Sequence, residues 1–492
     1  MTSSSRNFVA AGMLAAASIL AACSSSGDKI IGPPPQPGAA DITLDITTSR
    51  TLYADTVYTL KGFIHVTNQA TLTIQPGTRI LGDYNTLGSS LFIMRGAKIQ
   101  AVGTADKPIV FTSSRAAGTR QPGDWGGLLI IGNAIDNRTG ATPIEIEGSG
   151  TEPNGGSGHN YAVPYSGGTE AADNSGELRY VRVEFAGYAP SPDNELNAFT
   201  FAAVGSGTKL SYLQAMAGLD DSFEWFGGSV DADHLVSYEA GDDHFDQSES
   251  YNGRLQYLIA FQSTQLTQRT GAGNPSSDPQ GIENDGCNGT GCTSGHSQQP
   301  FTIPAIANFT LVGTGNLATS GTNGGIGMML RRGTGGYYVN GIVARFPRAG
   351  VSIRDTATYN RAGATATQDL ASADLALKNV LFVETAVTFQ GANGTNVQNS
   401  LDMASNGLTT NAATTASLFT AFPATTSETT TAAAFDWTPT AGAPAATGGM
   451  TTFNGKLATK VAGSEVTGTG FLGAAAPGGT KWWAGWTVYT QK

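Results

Sequence analysis

Residues 210–263 nearly repeat themselves with a period of about 22 residues. The blocks "LQAMAGLDDSFEWFGG", from Leu213, and "LVSYEAGDDHFDQSES", from Leu235, set Asp220–Asp221 over Asp242–Asp243, Phe223 over Phe245 and Glu224 over Asp246. A third block, "YLIAFQS", sets Tyr257 over Leu235. A fixed period in the twenties marks stacked units, each of which buries its apolar face only against the next. Inside each block apolar and polar residues alternate, and Gly, Asp and Asn punctuate the runs. The unit is therefore strands joined by turns. The expected architecture is all-β: a right-handed parallel β-helix, a solenoid with long loop excursions and a C-terminal cap.

That stacking sets up the chemistry. Neighbouring strands lie about 4.8 Å apart, and residues two apart on a strand share a face. With "DDSFEWF" and "DDHFD" extended, Phe223 and Phe245 point inward, and Asp220, Ser222, Glu224, Asp242, His244 and Asp246 form one outward patch. Stacked like charges repel. Such a column stands only if it is solvated, holds a cation, or keeps a proton on one acid. Ca²⁺ takes roughly six to eight oxygen ligands. The expected ligands are Asp220, Asp221, Glu224, Asp242, Asp243 and Asp246, with Glu283 near enough to join. The bland alternative is that Asp at coil corners caps turns with its own side chain. It explains the double Asp pairs better than it explains Glu224 and Asp246. A catalytic alternative uses Asp220, Asp242 and His244. Carboxylates one rung apart approach the roughly 5–5.5 Å of retaining glycosidases, and His244 is the candidate proton acceptor of a lyase.

Only 13% of the 492 residues are charged and the net charge is −11, which argues against a nucleic-acid partner. Gly is abundant, at 65 residues, without a G-X-Y period, so it reads as turn chemistry and not collagen. Residues 1–23 form a targeting segment: Arg6, then the apolar "FVAAGMLAAASIL", too short to span a bilayer. Leu20-Ala21-Ala22-Cys23 resembles a bacterial lipobox, which implies a signal peptide and a lipidated Cys23 carrying palmitate-type chains. Ser24 after it suggests, in lipoproteins of that kind, sorting to the outer membrane. Residues 24–41 read as a flexible tether. Export also makes a disulfide the expected state of Cys287 and Cys292.

Residues 42–490 read as a single β-helix body. N-terminal coils fill 42–113, an excursion follows "GDWGGLLIIGNA", and core coils with the acidic patch fill 177–263. A second excursion, 264–300, carries the disulfide loop, and 400–450 is an Ala/Thr-rich strap with little apolar period. Trp482, Trp483 and Trp486 read as the cap over the open end. The runs "ATLTIQPGTRILG", "GAKIQAVGTADKPIVFTSS", "DDSFEWFGG", "DDHFD", "QGIENDG" and "WWAGWT" resemble those of surface-exposed, right-handed parallel β-helix lipoproteins of Gram-negative bacteria. The resemblance covers most of 42–490 and implies the fold; it carries no defined activity. The expected role is structural or binding at the cell surface, through adhesion, glycan binding or assistance to an outer-membrane transporter, with Ca²⁺ as the stabilising ion. The alternative is a polysaccharide lyase or glycoside hydrolase. Against it stands the absence of the Gly-His-Gly and Arg-x-Lys elements of polygalacturonases. Apart from the membrane reached through the lipid anchor, the expected partners are a polysaccharide or such a transporter.

Overall fold

The computed structural model describes Met1 and residues 38–492 apart from 141, 154–160, 192–193, 364–366, 391–400 and 424. The signal segment, Cys23 and most of the 24–41 tether lie outside the described residues. The body begins earlier than residue 42, because Gly38–Ile42 is already a strand paired with Thr56–Leu60.

Two sheets run the length of the body, one of fifteen and one of nine strands among the described residues. In the wide sheet Gly176–Glu184, Lys209–Met216, Ala232–Tyr238, Arg254–Phe261, Ala305–Val312, Gly336–Ala344 and Leu375–Val383 pair in that order, all parallel. In the narrow sheet Phe199–Ala202, Phe223–Phe226, Phe245–Ser248, Gln280–Asp285, Ile326–Arg331 and Ala349–Ile353 do the same. The chain alternates between the sheets and advances one rung per turn. That is a parallel β-helix, and its interior is one apolar column that includes Leu213, Leu235, Phe223 and Phe245.

Each of these seven wide-sheet rungs bends at a residue held at positive φ: Tyr180, Tyr212, His234, Tyr257, Asn308, Asn340 and Asn379. Asn tolerates that region through its short polar side chain. For the aromatic residues it costs about 1 kcal/mol or more, and stacking offsets it. Tyr180 lies on Tyr212 at 4.5 Å and Tyr212 on His234 at 4.3 Å between ring centroids.

The repeat holds from the first block to the second, where Leu213 pairs with Leu235 and Glu224 with Asp246. It slips in the third. Leu235 pairs with Leu258, not Tyr257, and His234 stacks on Tyr257 at 4.9 Å. The turn after Ser248 is one residue longer than the turn after Phe226. A turn absorbs such an insertion without disturbing the faces of the strands it joins.

Phe223 sits between Phe199 and Phe245, with centroids 4.9 and 5.5 Å away and nearly parallel rings. All three are fully buried. Phe223→Ala is expected to cost about 3–5 kcal/mol, read as a shift in denaturant midpoint. A loss below about 1 kcal/mol would mean that the stack is not packed this way.

The 264–300 excursion is divided by the Gln280–Asp285 strand, so the acids of "GIENDG" lie on a rung and not in a loop. The excursion after Gly127–Ile131 folds back on the narrow sheet: Ile146, Val163 and Tyr165 pack with Phe63, Phe92, Leu129 and Ile131. Cys287 and Cys292 are disulfide-bonded.

The C-terminal residues depart most from expectation. Thr409–Asn411 adds a last rung, and a hairpin of Phe419–Ala421 and Asp436–Pro439 follows. From there the chain lies along the outer flank of the wide sheet. Trp437, Trp483 and Trp486 pack with Phe185, Met216, Val236 and Tyr238. Arg182 donates to the Trp486 carbonyl, and the Gln214 amide both donates to and accepts from the Val488 peptide. Those are mid-stack rungs, so the tryptophans cover a side of the solenoid and not its open end. The cause is the apolar outer face of the wide sheet, which has to be covered.

Candidate functional site: an acidic cleft on the narrow sheet

Glu224, Asp246 and Glu283 are rung neighbours on three consecutive narrow-sheet strands. Phe223, Phe245 and Ile282, the preceding residues, are buried in the core, so period-2 alternation turns the three acids outward. The turns before the strands add two double-Asp pairs. Asp243 N–H donates to Asp221 Oδ1 at 2.8 Å, Gln280 N–H donates to Asp243 Oδ1, and Asp221 N–H donates to the Asn197 side chain at 3.1 Å. One oxygen of Asp221 and one of Asp243 thus cap the next rung, as the turn-capping reading requires. Gly241 makes the close approach possible: a Cβ there would lie 1.8 Å from the Leu219 carbonyl oxygen.

Carboxylate oxygens of the cluster converge in three trios. They are Asp221, Glu224 and Asp246; Asp221, Asp242 and Asp243; and Asp243, Asp246 and Glu283. In each trio one oxygen per residue lies within 4.8 Å of the others. Asp221, Asp243 and Asp246 each serve two trios. Asp220 lines the same cleft and belongs to none of them among the described residues. Asp246 Oδ1 is buried and has no hydrogen-bond partner.

These acids form the floor of a cleft of about 1210 Å³. Its walls include Glu147 from the first excursion, Pro190, Asn274 and Asp278 from loops, and Asn288 from the disulfide loop. Among the described residues twelve Asp and Glu side chains line it against three arginines, so the acids far outnumber the cations beside them. Burial, reinforced by neighbouring acids, pushes the carboxyls of Asp220, Asp221, Glu224, Asp243 and Asp246 well above their usual range. Asp242 is pushed the same way by burial and then by Asp278 and Glu283. Burial lifts Glu283 to about 7 with help from Asp285, against the pull of Arg331. Glu147 rises to about 7 by burial and shares a hydrogen bond with Glu224. Arg331 pairs with Glu283 and Asp285, and Arg332 pairs with Asp285.

His244 does not join the acids. The strand starts at Phe245, so residues 242–244 belong to a turn and the alternation that would turn His244 outward does not reach it. Its ring is buried, with Nδ1 2.5 Å from Ser237 Oγ, and Ser237 donates to Ser222. Burial lowers the imidazole to about 3. Ser222 is likewise fully buried, not outward-facing. Four of the described cleft acids are picked out neither by the repeat nor by the "GIENDG" run: Glu147, Glu195, Glu249 and Asp278. They come from the two excursions, a loop and a rung end, and only the topology brings them to the cleft.

The sequence pattern of the family described as "Pectate-lyase like beta helix domain" matches residues 44–438. The chain belongs to that family. The match takes in every rung of both sheets from Arg50 to Asn411, and with them the acidic cleft. Among curated proteins, none matches this member of the pectate-lyase-like β-helix family. The family is consistent with a binding or an enzymatic role for the cleft.

Proposed function

We propose that this β-helix is a Ca²⁺-dependent glycan-binding protein of the cell surface, with cation and glycan meeting in the acidic cleft. The observation that carries the reading is the overlap of the three trios at Asp221, Asp243 and Asp246. The donors are all carboxylate oxygens, which suit a hard cation such as Ca²⁺ better than zinc or iron. The unpartnered Asp246 Oδ1 fits a group waiting for a cation. Bound Ca²⁺ would supply positive charge on which an acidic or hydroxyl-rich glycan can dock, in a cleft that otherwise repels anions.

Asp246→Asn is the test. At Ca²⁺ near a hundred times Kd the wild type should gain about 2.7 kcal/mol over the cation-free protein. The variant should lose most of that gain, measured by thermal unfolding. An equal loss with and without Ca²⁺ would mean that Asp246 supports the fold alone.

A second reading, a polysaccharide lyase or glycoside hydrolase, draws on the hydrogen-bonded Glu147–Glu224 pair, which can hold a proton near neutrality. Neither of its two basic candidates among the described residues is free to serve: His244 lies elsewhere, and Arg331 is held by two carboxylates. Incubation with acidic polysaccharides should therefore release no unsaturated or reducing ends. Their appearance would favour the enzyme. The lipid anchor belongs to the same proposal: Cys23 carries acyl chains that hold the protein on the outer membrane, near a polysaccharide or a transporter. Mass spectrometry of the mature N-terminus tests it.

A further inference from the structure

The disulfide loop and the first excursion meet at one side chain. Arg138, in the wall of the cleft, donates through Nη1 to the carbonyls of Asn288 and Thr290 and approaches Cys292 Sγ at 3.3 Å. Its Nη2 pairs with Glu249, which also accepts from the Tyr165 hydroxyl. Next to it, Thr139 N–H donates to the Gly291 carbonyl at 2.9 Å and Thr139 Oγ1 to the same oxygen at 3.0 Å. The ring closed by Cys287 and Cys292 thus supplies three carbonyls, from residues 288, 290 and 291, to two consecutive residues of the excursion. Carbonyls aimed at one guanidinium must be held in place, since each loses a hydration shell for a directional bond.

We propose that the Cys287–Cys292 disulfide is a redox-sensitive latch that seats the 136–140 limb of the excursion, and with it Arg138, in the wall of the acidic cleft. Cys287 is buried and Cys292 is half-buried, so Cys292 is the sulfur open to attack. A dithiol reductant attacks Cys292 Sγ as its thiolate and the Cys287–Cys292 bond breaks. Cys287 leaves as a thiolate and takes a proton. The second thiol of the reductant displaces Cys292, which takes another proton, and the reductant ends as its own disulfide. The ring opens, its carbonyls no longer converge, and Arg138 leaves the wall. Glu249 then loses its cation, and the cleft becomes more negative.

Hydrogen exchange on the full chain, oxidised and after dithiothreitol, tests the latch. Exchange at 137–140 and 288–292 should rise by about tenfold or more on reduction, while the narrow-sheet rungs stay unchanged. Arg138→Ala with the disulfide intact should loosen 137–140 in the same way. Unchanged exchange at 137–140 would overturn the latch. Equal loosening of the coils would overturn it too, by making the bond a staple of the whole fold. The consequence for cations rests on the Ca²⁺ reading: reduction should tighten Ca²⁺ binding in a titration. A protein that binds no Ca²⁺ in either state but still loosens at 137–140 would sink that reading and keep the latch.

Discussion

Stripped of divalent cations, the protein is expected to melt at a higher temperature at pH 5 than at pH 8. The raised carboxyls decide the sign. Between the ordinary glutamate value, near 4.5, and about 7, folded Glu147 and Glu283 keep a proton that the unfolded chain has released. The folded state then binds more protons than the unfolded one, so stability falls as pH rises through that window. From pH 5 to 7 each of the two groups forfeits on the order of 2 kcal/mol. Burial and neighbouring acids also raise the carboxyls of Asp220, Asp242 and Asp246 well above their usual range, so these groups add to the loss with the same sign. His244 works the other way. Its imidazole is depressed to about 3, so it costs stability as pH falls below 6.5, by about 2 kcal/mol at pH 5. The acids outnumber it and prevail. Ca²⁺ competes with the protons, so its stabilisation should be larger at pH 8 than at pH 5. Calorimetry in metal-stripped buffer reads both slopes. A melting temperature that climbs from pH 5 to pH 8 without cations would remove the buried acid cluster from the account.

The parts legible in the sequence were those set by periodicity. Phe223 over Phe245 and Glu224 over Asp246 follow from spacing alone, because a parallel rung repeats its own register. The third block misled by one residue, since a period counted along the chain cannot separate a longer turn from a longer strand. His244 misled for a related reason: alternation predicts faces only inside a strand, and nothing in "DDHFD" marks where the turn ends. Glu147 and Asp278 were invisible, because an excursion reaches the cleft by a path that no local pattern encodes.

The 400–450 stretch is Ala- and Thr-rich and gave no period, and the structure supplies a reason. Much of the C-terminal layer is recognised through its backbone. Gln256 pairs with both polar groups of the Thr467 peptide, and Asn340 does the same at Met450. Side-chain amides that read main chain leave the sequence opposite them free to drift. The apolar anchors are few and large, so they are visible only as isolated aromatics.

Those anchors give the second large effect. Trp486→Ala is expected to cost about 3–5 kcal/mol. The indole is about 1% exposed, lies edge-on to Tyr180 at 5.5 Å, and donates from Nε1 to the Trp482 carbonyl. Where the damage spreads separates a flank cover from an end cap. As a cover, the indole protects Gly176–Glu184 and Lys209–Met216, because Tyr180 and Tyr212 stand at their bends and Arg182 holds the Trp486 carbonyl. Hydrogen exchange in the variant should then rise at those two strands while Leu375–Val383 and Thr409–Asn411, at the end of the stack, remain protected. A cap would show the opposite pattern, with the terminal rungs fraying first. The covering layer is expected to close late, since its partners on the wide sheet must be wound before residues 467–489 can reach them. A variant that weakens it should therefore raise the unfolding rate more than it slows folding.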